Sequence, residues 1–148
     1  MENEKKIIWE NSSIWVREDG KKRFSSVNTL KVFDLLKEKK KVFTISENHQ
    51  ETQINKIEYV GQVNLFELKL FSGSRIISSE LMEFMIDNIW VPLHEISFHE
   101  NIMELNILNN HFRESYAVSI KKVENIKGYI LETADNRAIV NNFLIKLD

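Results

Sequence analysis

The sequence predicts a mainly β domain with one short helix. Three observations carry that expectation. Short runs of alternating apolar and polar residues recur along the chain, one broad apolar stripe has helical spacing, and one Pro and four Gly leave few places to break either. Period-two alternation lays one face of a strand on a core, whereas a stripe at i, i+3 and i+4 marks one face of a helix. With 148 residues and 43% apolar side chains, nine Phe and three Trp among them, the chain can bury one continuous core.

Taken in order, residues 14–17 read as the first strand. Asn28 is a helix N-cap candidate, followed by Leu30, Val32, Phe33, Leu35 and Leu36 as the stripe and by a charged exit over 37–41. Residues 41–45 and 55–60 read as further strands. The clearest alternation is Leu65, Glu67, Lys69 and Phe71 against Phe66, Leu68 and Leu70; Gly73 then turns the chain into 75–78, which makes a hairpin. Residues 117–123, 129–133 and 143–147 complete the strands, while Asn-rich 101–113 breaks the rhythm and reads as a loop or short helix able to carry partner contacts. No linker-like or repeated stretch divides the chain, so residues 1–148 are read as one domain with 1–7 as a flexible leading segment.

Composition excludes several functions. A net charge of −2, with acids and bases interspersed, gives no field that would draw the whole surface to nucleic acid or an anionic membrane. The absence of Cys removes disulfides, a thiolate nucleophile and Cys-based zinc sites. His49, His94, His99 and His111 show no ligand spacing, since His94 and His99 lie five apart rather than at i, i+4, so neither metal nor cofactor is expected. The polar start at 1–6 has no signal-like apolar region, and no run approaches the roughly 20 apolar residues of a spanning helix; a cytoplasmic protein is expected. Lys37, Lys39, Lys40 and Lys41 read as a solvated helix exit; a nucleic-acid patch would require the fold to bring Lys21, Lys22 and Arg23 beside them. Trp9, Trp15 and Trp90 read as packing residues, and none of the common nucleotide, hydrolase or protease motifs occurs.

Three separated blocks span nearly the whole chain. The first runs Ile8-Trp9-Glu10-Asn11-Ser12-Ser13-Ile14 and on to the Asp19-Gly20 turn. The second comprises the hairpin 65–78, then Ser79 and Met82, then Trp90-Val91-Pro92-Leu93-His94-Glu95-Ile96. The third joins 118–123, Gly128-Tyr129-Ile130-Leu131-Glu132 and 135–148. Their order, spacing and common endpoint resemble the hedgehog/intein (Hint) family without an inserted endonuclease. The resemblance implies a compact, horseshoe-shaped, pseudo-symmetric β fold, with residues 1–7 standing where an intein is preceded by its flanking segment.

The same resemblance implies a chemistry and marks where it should sit. In this family the first residue, a Cys or Ser, attacks the preceding carbonyl and converts an amide to an ester or thioester. Ile8 stands there. A Thr and a His then polarise and protonate that amide; Ser79 keeps the hydroxyl, but Met82 holds the His position, and a thioether transfers no proton. At the far end a His, a penultimate His and a cyclising Asn are matched by Arg137, Leu147 and Asp148. Recruiting Ser12 or Ser13 instead would shorten the path to Asp19-Gly20, so they read as strand-start serines. With seven residues before Ile8 and none after Asp148, splicing would also lack segments to join. The reading is a non-catalytic Hint-like module with an unidentified protein partner; the alternatives are residual single-turnover self-cleavage through Ser12, Ser13 or Ser79, and a small nucleic-acid-binding module.

Overall fold

The computed structural model describes residues 5–148. Twelve strands and one helix follow in the order β1 (Ile8–Trp9), β2 (Ser13–Glu18), β3 (Ser25–Asn28), α1 (Thr29–Lys37), β4 (Val42–Ile45), β5 (Glu51–Leu70), β6 (Arg75–Ser78), β7 (Glu83–Ile86), β8 (Ile89–Pro92), β9 (Asn101–Asn106), β10 (His111–Thr133), β11 (Arg137–Val140) and β12 (Phe143–Lys146). All twelve strands belong to one continuous hydrogen-bonded system, and the pairings within it are antiparallel. The mainly β class with one helix is the one the sequence predicts.

Two long strands organise it. β5 and β10 pair antiparallel from Ala117 opposite Leu70 to Thr133 opposite Ile54. In the sequence each looks like two short strands, because the ladder shifts register between Val123 and Ile126 and again between Gly128 and Tyr129. A β-bulge of this kind adds a residue to one strand and breaks the period-two pattern without ending the strand. Gly61, opposite Gly128, has φ of 93°, a left-handed backbone that a side chain would strain.

The helix starts where the sequence places it. The Asn28 side chain accepts a hydrogen bond from the Leu30 N–H at 2.8 Å, and Thr29, Val32 and Leu35 turn inward. Phe33 meets the Tyr129 ring edge-on at 6.0 Å, tying the helix to β10.

Segment 101–113 corrects the expectation of a loop or short helix. It is β9, a tip at 107–110 and the start of β10, with Asn106 opposite His111 and Asn101 opposite Tyr116. The asparagines that suggested a loop cap the tip, where Asn106 and Asn109 side chains accept from the Leu108 and His111 N–H groups, while Ile102 and Leu105 are buried on opposite faces in separate clusters.

The core has three parts. The largest joins Ile14, Leu68, Leu70, Met82, Phe84, Val140 and Phe143; the second holds Ile45, Met85, Leu105, Ile139 and Leu144; the third gathers Ile7, Val63, Leu65 and Ile77. Membership of Ile7 limits the flexible segment expected over 1–7, because Ile7 is 2% exposed.

Candidate functional site

β1 is two residues long and sits between strands from distant parts of the chain. Ile8 lies opposite Ser78 of β6 and Tyr129 of β10, and Trp9 lies opposite Gly128. The approach is so close that a Cβ on Gly128 would stand 2.6 Å from Ile7 Cγ2 and 2.9 Å from Val63 Cγ2. Glycine is therefore required at 128 for space rather than for turning. Ile8 itself is 1% exposed, its side chain surrounded by hydrocarbon.

The main chain of Ile7, on both sides of its Cα, is held by a single residue. The Ser79 N–H donates to the Ile7 carbonyl at 3.0 Å, and the Ile7 N–H donates to Ser79 Oγ at 2.9 Å. Ser79 is itself buried, with its carbonyl accepting from Ser78 Oγ and the Met82 N–H. A backbone N–H aimed at a carbonyl oxygen is the kind of donor that stabilises negative charge developing there. Beside this main-chain segment a cleft of about 180 Å³ is bounded by Ile7, Leu65, Phe66, Ser79 and Glu80.

Apart from Ser79, the marked positions nearest that carbonyl, Ile8 and Met82, carry neither a nucleophile nor a titrating side chain. Ile8 offers only carbon. Met82 is fully buried in the main core cluster, its carbonyl accepting from the Leu93 N–H. Tyr129, the residue across from Ile8, has a phenol that burial, aided by the Glu10 carboxylate, pushes above its ordinary value, so it stays neutral around pH 7. The His94 ring contacts the Glu80 carbonyl at 3.0 Å and Glu95 at 3.5 Å.

The other marked positions gather at the carboxyl end. Leu147 is half-buried and donates its N–H to the Asn136 carbonyl at 2.8 Å. Arg137 stands 3.8 Å from the Asp148 carboxylate, reaches Glu47 at 3.2 Å and covers the Trp90 ring at 4.7 Å. Lys6 closes the gap between the two regions: its Nζ donates to Glu83 Oε1 at 2.6 Å and to the main-chain carbonyl of Asp148. Thus Ile8, Ser79, Met82, Arg137, Leu147 and Asp148 lie in one neighbourhood. Lys6 was missed in the sequence, because a lysine contact spanning almost the whole chain leaves no local pattern.

The serines weighed as substitutes are differently placed. Ser12 is buried, its Oγ finds no partner among the described residues, and its carbonyl accepts both the N–H and the hydroxyl of Thr29. Ser13 is tied through its backbone to Asn141, at 2.6 and 2.7 Å. Lys39, Lys40 and Lys41 do meet Lys21, around a shallow depression that also holds Glu18 and Asp19; Lys37 instead lies over the Phe33 ring at 4.6 Å. Lys21 is paired with Glu18 at 2.8 Å, and that hydrogen bond, outweighing the desolvation that opposes it, keeps the Glu18 carboxyl below its usual range. Among the described residues no group of three His, Cys, Asp or Glu side chains converges as metal ligands, and no helix is long and apolar enough to cross a membrane.

No protein-family model matches the chain, and no curated protein matches it in sequence. Solved structures match it closely in shape. The Ssp DnaB mini-intein variant M86 superimposes with a TM-score of 0.77 at 20% identity, over 97% of this chain and 95% of that one. A DnaB intein from Synechocystis sp. PCC 6803 gives 0.76 at 20% identity, over 97% and 99%. An intein from a hyperthermophile gives 0.78 at 14% identity, over 95% and 99%. From its first described strand to its last, this chain has the Hint fold of inteins.

Proposed function

We propose that the chain is a non-catalytic intein-like domain, incapable of protein splicing and retained as a structural or interaction module. The observation that carries this reading is the pairing of a gripped amide with an inert first residue. Ser79 still holds the main chain of Ile7 at both its N–H and its carbonyl, yet the side chain that would have to attack that carbonyl is the buried hydrocarbon of Ile8. Electrostatic stabilisation lowers a barrier only when a bond is being made. Met82 and Leu147, at two of the three His positions, extend the same argument, since neither can move a proton.

Intact-mass measurement of the purified chain after prolonged incubation, with and without hydroxylamine or a thiol, tests it. The expected result is one unchanged mass. A fragment ending at Ile7 would overturn it in favour of residual self-cleavage, the reading that the Ser79 hydroxyl on the Ile7 N–H supports. The variant carrying Ile8→Cys together with Met82→His supplies the converse: thiol-dependent release of the segment before residue 8 is expected if the grip is competent.

A further inference from the structure

Away from the Ile7–Ile8 peptide, a cleft of about 400 Å³ opens between the β7–β8 turn and the β9–β10 hairpin. Its size lies within the range of about 300 to 1,000 Å³ typical of ligand-binding cavities. Met85, Met103 and Phe112 form its apolar part, all three belonging to or packed against the second core cluster. Asp87, Arg113 and Glu114 supply its charges.

The charges do not cancel as they first suggest. Arg113 stands 3.4 Å from Oε2 of Glu104, a carboxylate with no exposed surface whose other oxygen accepts from Ser74 Oγ. That Oε2 makes no hydrogen bond among the described residues, so the guanidinium is the charge that balances it. Asp87 and Glu114 are exposed, and neither forms an ion pair among the described residues. The cleft therefore presents two uncompensated carboxylates beside a thioether-rich apolar surface. Long basic side chains have the matching form, a hydrocarbon stem that prefers apolar contact and a cationic head that prefers carboxylates. Methionines adapt to such a stem at little cost.

We infer that this cleft docks a Lys or Arg side chain from an extended basic segment of a protein partner. The inference rests on reading the chain as an interaction module and gives that partner a chemistry. A titration of the full chain with short Gly/Ser peptides carrying one central Lys, Arg, norleucine or Glu tests it, read from the methionine methyl resonances and assigned with Met85→Leu and Met103→Leu. The Lys and Arg peptides, at about millimolar concentration, are expected to shift Met85 and Met103, and norleucine and Glu to bind more weakly. Asp87→Asn with Glu114→Gln, both at exposed positions, is expected to weaken the Lys peptide about 3- to 10-fold and to remove its salt dependence. No methyl shift, or equal binding of Lys and norleucine peptides, or a double variant that binds unchanged, would each overturn the inference. Intact mass of the same samples separates the two readings: a self-cleaving chain that still binds the Lys peptide defeats only the non-catalytic assignment.

Discussion

The two ends of the neighbourhood that joins Ile8 to Asp148 are held by different forces. At the amino end, Ile7 and Ile8 are 2% and 1% exposed, wedged between β6 and β10 and fixed by backbone hydrogen bonds. At the carboxyl end, Asp148 is exposed and restrained by Lys6 and by Arg137 at 3.8 Å. Burial is indifferent to salt, whereas exposed ion pairs are screened by it within about 10 Å at 0.1 M. One position is thus held by enclosed hydrocarbon and backbone hydrogen bonds, and the other by charge.

The sharpest way to break this contrast is to hollow out the amino end. Ile8→Ala removes a fully buried branched side chain and is expected to cost about 2–5 kcal/mol in chemical denaturation; a cost within the scatter of surface mutants would refute the wedge. Gly128→Ala should come next, at about 1–3 kcal/mol from overpacking against Ile7 and Val63. Ile7→Ala in the same chain should recover part of that loss, and strict additivity of the two would show that they do not touch.

A smaller effect separates the ends by pH. The raised phenol of Tyr129 means that the folded state holds its proton more tightly than the unfolded chain. Its contribution is complete below the unfolded value of about 10 and is lost as pH rises through the folded value. Denaturant midpoints should therefore fall on the alkaline side, and Tyr129→Phe should flatten that fall while leaving neutral pH little changed. Last comes Lys6→Ala, whose part-buried pair with Glu83 is expected to be worth about 1 kcal/mol, less at high salt. A large, salt-independent loss there would erase the contrast between the ends.

Much of the fold was legible in the sequence, for reasons that can be traced. The 65–78 hairpin shows because its alternation is unbroken, and Leu68 and Leu70 do face the core. The helix shows because a capping Asn28 precedes a stripe of the right period. β9 did not show, because its flanking asparagines serve the tip of a hairpin and its inward-facing Glu104 replaces an apolar residue with a buried carboxylate. The site divides in the same way. The positions of Ile8, Met82 and Leu147 were marked by the resemblance to the Hint blocks, whereas the Ser79 grip on Ile7 and the Lys6 bridge to Asp148 exist only once remote segments meet.

The wedged strand β1 also fixes an order of assembly. Its two partners are residue 78 of β6 and residues 128 and 129 of β10, so β1 has no complete seat until about 120 further residues have followed it from the ribosome. Pairings this remote in sequence make folding slow, since loop closure is paid for before contacts repay it. Ile7 and Ile8 are consequently made long before residues 128 and 129 can enclose them, and they spend that interval as exposed hydrocarbon in need of shelter.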